Sequence, residues 1–316
     1  MVFVFEKNEN GGKYYYLAHN QRISKKKWKS FRKYLGKELP KKAEFEKLKK
    51  EFVKEFKIQI EKKLVFLDKE KLAKVDYIIG EFQSRIKKYP KIALDKIERD
   101  FTIKFTYNTN AIEGNKITLL ETAALLNKKI TPEGKSLREI YEITNTEKAL
   151  NYINNYNGVL SKRLLLKLHK IMMRDIDDET AGRFRTFDVA IQGANWMPPR
   201  GSTVSEKFEE FINWHELNKK KLHPVELASI THFKFIEVHP FGDGNGRIAR
   251  LITNFLLIKD GYPPINIKEK NTIEYVKVLQ YTQNTQQFKK LCDWFLQKLG
   301  ENHARVLLPK NKEKLK

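Results

Sequence analysis

The stretch that most limits what this chain can fold into is His239-Pro-Phe-Gly-Asp-Gly-Asn-Gly-Arg-Ile-Ala-Arg250. It joins two apolar segments, 224–238 and 248–258, whose residue spacing predicts helices. Glycine-rich backbone entering a helix leaves N–H groups without intrahelical partners, so the junction can cradle an anion. Arg247 and Arg250 are three residues apart and share one face of the second helix. Asp243 offers carboxylate oxygen to Mg²⁺, an ion that usually shares its shell with substrate phosphates. His239 has the side chain whose ordinary pKa suits proton transfer near neutrality. These parts together describe a polyphosphate held with a metal, beside a base that activates a nucleophile.

The chain around this junction reads as mainly α. Helices are expected from about 70, with a break at Pro90, and over 91–113, 119–127, 204–219, 271–283 and 285–300. Thr118 with Glu121, and Ser136 with Glu139, form capping boxes; the second opens a helix to about Tyr156, and Ser161 opens one to about Met173. Gly114 is a natural helix C-terminal cap, and Glu113 before it sits against the unfavourable end of the helix dipole. A carboxylate there is either solvated or paired with a cation. His169, within the helix from Ser161, reads as a packing residue. Residues 181–199 interrupt the helices: Phe187, Val189 and Ile191 alternate, Gly193 permits a turn, and Pro198-Pro199 forbids continuation. A short β-hairpin flap is the expected outcome. His232 and His239 lack the i, i+4 spacing of a helical zinc pair, so zinc is not expected.

Residues 1–36 differ from the rest. Val2-Phe-Val-Phe5 and Tyr14-Tyr-Tyr-Leu17 are strand-like and flank a Glu9-Asn-Gly-Gly12 turn, and residues 22–36 are basic with interleaved aromatics. Residues 1–50 hold 15 Lys/Arg against 5 Asp/Glu, so +10 of the chain's net +23 lies here. Such a segment either binds nucleic acid or is a small β-module with a solvated basic face. From Pro40 to Leu67 apolar residues recur at helical spacing, a long amphipathic arm. The organisation expected is a basic β-rich module (1–38), a helical linker (39–74), a helical region (75–135), a core domain (136–300) and a basic tail (301–316). A lone cysteine, Cys292, rules out an internal disulfide framework. No apolar run approaches the ~18 residues of a membrane span, and the first residues are too short for a signal peptide, so a cytoplasmic protein is expected.

The 239–250 segment resembles the signature of the Fic family, His-x-Phe-x-(Asp/Glu)-Gly-Asn-Gly-Arg-x-x-Arg, at every specified position. The resemblance extends to His223-Pro-Val-Glu-Leu-Ala228, Asp260-Gly-Tyr-Pro-Pro264, Gly182-Arg-Phe-Arg185 and Pro198-Pro199, covering roughly residues 75–300. It implies a helical Fic-type core with a flap, and transfer of AMP from ATP to a protein hydroxyl with release of pyrophosphate. On that basis His239 is the base, Asp243 the Mg²⁺ ligand, and the backbone N–H groups of Gly244, Asn245 and Gly246 the anion hole. Arg247 and Arg250 would grip the β- and γ-phosphates, and Phe241 would anchor the loop. Ile191, Gln192, Gly193 and Ala194 would align the target segment by strand-like pairing. Tyr275 resembles the aromatic on the nucleotide's base side, where a family asparagine is replaced by Gln283 or Asn284.

Thr109-x-x-x-Glu113-Gly114 is similar to the family's inhibitory motif, which implies a Glu113–Arg250 ion pair that keeps Arg250 from the γ-phosphate. The partners implied are ATP and a Ser, Thr or Tyr of a target protein or of the chain itself; relatives commonly form homodimers. Three alternatives stay open: removal of AMP at the same site, a different nucleotide donor, and a nucleic-acid-associated regulator acting through the basic N-terminus.

Overall fold

The computed structural model describes residues 2–9, 12–24, 27–41, 44–52, 64–191 and 196–304. At the N-terminus, β1 (Val2–Glu9), β2 (Gly12–Ser24) and β3 (Lys27–Gly36) form an antiparallel sheet in the order β1-β2-β3. The basic stretch from residue 22 thus supplies the end of β2 and a third strand beyond the expected hairpin. Alternation explains the sheet's placement: Leu17 and Leu35 share one face and pack with Phe45, Leu48 and Phe52 of the helical segment 44–52. Much of the expected arm after Phe52 lies outside the described residues.

The helical body begins with α1 (Lys69–Ile86), opened by Asp68, whose carboxylate accepts the N–H groups of Glu70 and Lys71. It continues through Pro90 into α2 (Lys91–Ala111). Both expected capping boxes form, at Thr118 before α3 (Leu119–Lys128) and at Ser136 before α4 (Leu137–Asn154). Then come α5 (Lys162–Met173), α6 (Val204–Asn218), α7 (Pro224–Val238), α8 (Asn245–Lys259), α9 (Thr272–Thr285) and α10 (Lys289–Ala304). Almost every residue of α7 and of α8 up to Leu257 is buried, so the helix pair around residues 239–244 is the centre of the core. Around it pack α6 and α10 on α7, and α4, α5 and α2 on α8.

Helix α1 crosses the boundary drawn at 74/75: Leu72, Val75 and Ile79 join the same core as α7, α8 and α10. The segment before α1 is pinned by Glu226, a fully buried carboxylate on α7 that accepts the N–H groups of Val65, Phe66 and Leu67 at 3.0, 2.7 and 2.8 Å. Three donors answer that charge where solvent cannot. Residues 187–191 carry no strand assignment, and the expected tip of the flap, 192–195, lies outside the described residues. Among the described residues no helix is long and apolar enough to cross a membrane.

Candidate active site

The junction between α7 and α8 is built by residues that sequence spacing alone marks as punctuation. His239 caps the C-terminus of α7 in the left-handed conformation, φ 47° and ψ 60°, which is uncommon away from glycine and turns the chain sharply. Gly244 is also left-handed, φ 78°, and starts α8. Between them Phe241 is fully buried and stacks on His169, ring centroids 3.8 Å apart. Asn245 closes the loop on itself: its Oδ1 accepts the Phe241 N–H (3.0 Å) and its Nδ2 donates to the Phe241 carbonyl (2.7 Å). His169 adds a second clamp, since Nδ1 accepts the Gly182 N–H (2.8 Å), leaving Nε2 to donate to the Asp243 carbonyl (3.2 Å). It packs, as its helical position suggested, and also ties the loop to residue 182.

His239 meets the Ile236 carbonyl through Nδ1 at 3.3 Å. A carbonyl can only accept, so Nδ1 carries the proton and Nε2 keeps its lone pair. Burial lowers the pKa of His239 to about 4, although the Ile236 carbonyl favours the charged form. The imidazole is therefore neutral and basic at Nε2 throughout the physiological range.

The anion-binding side is the N-terminus of α8, where no side chain caps the helix. The Gly244 N–H turns to the Asp243 carboxylate. Arg247 and Arg250 are 1% and 3% exposed, so each buried guanidinium must be answered by nearby oxygens. Arg247 donates to Asp243 Oδ1 (3.0 Å) and Asn110 Oδ1 (3.4 Å), and lies 3.4 Å from Glu142. Arg250 donates from Nε to Thr109 Oγ1 (2.6 Å), and from Nη2 to the Thr109 carbonyl (2.8 Å) and to Glu113 Oε1 (2.6 Å). Nε of Arg247 and Nη1 of Arg250 are buried without hydrogen-bond partners.

Glu113 reaches this place because α2 ends just before it and the left-handed Gly114, φ 94°, turns the chain away. Its carboxylate lies close over the first turn of α8: a Cβ built on Gly246 would be 2.2 Å from Oε1. An anion thus already sits where the helix N-terminus and Arg250 favour one. Of the two placements open to Glu113 from sequence, the paired one is found.

Asp243 is half-exposed, with Oδ2 bound to Arg138 Nη2 of α4 at 2.6 Å. Burial opposes its ionisation, but Arg247, the Gly244 N–H and Arg138 outweigh this and hold its pKa below the ordinary carboxylate value. Among the described residues no three acids, histidines or cysteines gather into a metal-binding group. An ionised carboxylate at the mouth of a phosphate cradle fits Mg²⁺, which takes one or two carboxylates plus substrate oxygens.

Of the remaining sequence-predicted residues, Tyr275 adjoins Arg250. Tyr275 is buried, its pKa raised to about 12 by burial. Its hydroxyl donates to His232 Nε2 (2.7 Å), while His232 Nδ1 donates to Thr253 on α8 (2.9 Å). Gln283 lines a cleft of about 630 Å³ with Trp196, Met197, Pro199 and Val238. Ile191 is half-buried at the edge of the flap segment; Gln192, Gly193 and Ala194 lie outside the described residues. One organising residue had no assigned role in the sequence reading. Arg185, 4% exposed, donates to the carbonyls of His239 (2.8 Å), Phe187 (2.8 Å) and Pro199 (2.6 Å). It fastens both ends of the flap segment to the residue that turns α7.

Residues 159–257 match the model of the Fic/DOC family. The chain is 34% identical over 196 residues to "Protein adenylyltransferase Fic" of Aedes aegypti, covering 60% of this chain and 38% of that protein. To the protein of that name from Nematostella vectensis it is 30% identical over 220 residues, covering 67% of this chain and 50% of that one. It therefore spans half or less of the length of these curated relatives. Among solved structures, a segment of Fic-1 from C. elegans superposes with a TM-score of 0.66 at 26% identity, covering 85% of this chain and 77% of that one.

Proposed function

Since the chain belongs to the Fic/DOC family through residues 159–257, we propose that it is an autoinhibited protein adenylyltransferase, moving AMP from ATP to a hydroxyl side chain of a protein. The observation that carries this reading is the anion already seated at the α8 N-terminus, the Glu113 carboxylate held 2.6 Å from Arg250. A site that stabilises a carboxylate there would stabilise a phosphate there too.

The chemistry follows from the geometry. A Ser, Thr or Tyr oxygen attacks the α-phosphorus, and its proton passes to His239 Nε2, the nitrogen left bare by the Ile236 carbonyl. The bond from the α-phosphorus to the bridging oxygen breaks, and pyrophosphate leaves with the electron pair. The N–H groups at the start of α8 offset charge on the transferring phosphoryl oxygens. Arg247 and Arg250 offer their unpartnered N–H donors to the β- and γ-phosphates. Asp243 would hold Mg²⁺, which supplies charge neutralisation for the departing pyrophosphate. With Glu113 in place, Arg250 is engaged and a carboxylate repels the incoming triphosphate, so the nucleotide is kept from the in-line pose. A lone buried cysteine and the soluble-type composition lead us to assign the protein to the cytoplasm.

Mass spectrometry of Glu113→Gly after incubation with ATP and Mg²⁺ tests the reading. An added adenylyl mass on a Ser, Thr or Tyr, in the protein itself or a target, is expected. A different nucleotide mass from a mixed nucleoside triphosphate pool would reassign the donor. Loss of adenylyl groups from a modified protein, with Glu113 intact, would make the reaction run in the removing direction.

A further inference from the structure

The N-terminal sheet has no part in the chemistry above, and its two faces differ. Pairing aligns Phe5 with Tyr16, and Tyr16 with Tyr34, in one row across all three strands. Phe5 stacks on Tyr16 with centroids 5.2 Å apart, and Tyr34 lies 5.3 Å from Tyr16 and 6.2 Å from Tyr14. Arg32 sits 5.2 Å over the Phe5 ring and Lys37 5.9 Å over Tyr14. Lys7, paired with Tyr14, belongs to the same face. The opposite face is spent on the core with Phe52, where Leu17 is 1% exposed. That face also carries the Glu6–Lys13 ion pair. On the aromatic face Tyr34 is 51% exposed, and Phe5, Tyr14 and Tyr16 are half-buried.

We propose that this outer face, Phe5, Tyr14, Tyr16 and Tyr34 with Lys7, Arg32 and Lys37, binds single-stranded nucleic acid. A row of rings spaced along a twisted sheet offers flat surfaces on which unpaired bases stack, whatever their identity. The cations beside the rings meet the phosphates that run past them, and the 15 Lys/Arg against 5 Asp/Glu of residues 1–50 draw a polyanion to this end of the chain. A duplex hides its base faces in its own stack, so it gains the charge contacts but not the stacking. An acidic protein surface would likewise use the lysines and leave the rings idle.

The test is fluorescence anisotropy of the full chain with a labelled oligothymidylate. Binding should weaken with salt at a log–log slope of about −2, since three cations each release about 0.7 counterion from a single strand. Tyr34→Ala should weaken binding roughly tenfold to a hundredfold. Tyr34→Trp, which keeps the ring, should preserve it and shows that the sheet still folds. Lys37→Gln should make the slope shallower by about 0.7. His239→Ala should leave binding unchanged, separating this surface from the transfer site. The proposal falls if no binding appears at low salt, if Tyr34→Ala binds as the natural chain does, or if a duplex of equal length binds as tightly.

Discussion

Replacing Glu113 by Gly is the perturbation whose size the structure fixes best. Arg250 is 3% exposed, and among the described residues its carboxylate contact is Glu113 at 2.6 Å, with two further bonds to Thr109 oxygens. Two unit charges about 4 Å apart at an effective dielectric of about 20 attract by roughly 4 kcal/mol. Glu113 is about one-third exposed, and screening reduces the share available for gating to roughly 2–3 kcal/mol. At about 1.4 kcal/mol per tenfold, Glu113→Gly should raise the initial rate of adenylyl incorporation roughly 30- to 150-fold. The assay is incorporation of labelled AMP at saturating ATP and Mg²⁺. Glu113→Gln separates charge from shape, because it keeps the bulk over Gly246 while removing the attraction to Arg250. It should recover most of the gain.

The folded state loses the same attraction, so a stability cost of up to roughly 2–3 kcal/mol is expected, offset in part by two features. Glu113 follows the C-terminus of α2, where a carboxylate opposes the helix dipole, and Arg250 keeps both Thr109 bonds. Incorporation within about twofold of the natural chain, with nucleotide binding intact, would refute the electrostatic argument, because a removed 2–3 kcal/mol cannot vanish from the rate.

His239→Ala should lower transfer by roughly a hundredfold or more while nucleotide affinity, read by calorimetry, is unchanged; persistent transfer would move the base elsewhere. Arg138→Ala frees Asp243 Oδ2, and since Arg138 is 58% exposed the pair is worth under about 1 kcal/mol, so the Mg²⁺ concentration for half-maximal rate should fall up to about fivefold. An unchanged metal requirement would show that Arg138 does not compete there. Acid should unfold the protein before it titrates the base. His169, His215 and His239 have pKa values lowered to about 4, and His232 to about 3, each mainly by burial, against about 6.5 in the unfolded chain. Below pH 6.5 the unfolded state binds these protons and the folded state does not, so stability falls with pH toward about 4, at up to roughly 5 kcal/mol per pH unit. Denaturant midpoints that stay constant from pH 6.5 to 5 would contradict those burial shifts.

What the sequence could and could not disclose divides along the range of the interactions. The capping boxes at Thr118 and Ser136 close within four residues, and both form as their spacing implies. Apolar periodicity marks α8 only from 248, whereas the helix begins at Asn245 and already includes Arg247, because the glycines that enter a helix carry no periodic signal. Glu113 and Arg250 are 137 residues apart, and only the resemblance joined them; the local reading ended at a carboxylate that needed either water or a cation. Lys27–Gly36 looked like a basic face rather than a third strand, since lysine side chains interrupt the apolar alternation that marks one.

The residues missed altogether are those whose partners are backbone carbonyls or amides. Arg185 acts on three carbonyls, two of them 14 and 54 residues away, and Glu226 on three amides about 160 residues away. Backbone groups are present at every position, so no residue type in the sequence marks where such a bond will land. Yet both side chains are charged and almost wholly buried, and a buried charge without partners would cost several kcal/mol. Glu226, set among Val225, Leu227 and Ala228 with no Lys or Arg three or four residues away, therefore carries a signal of its own, whereas Arg185 has Asp188 three residues on and is told apart only by its burial. They mark points where irregular backbone must come to meet them: the flap segment at Arg185, and the entry to α1 at Glu226.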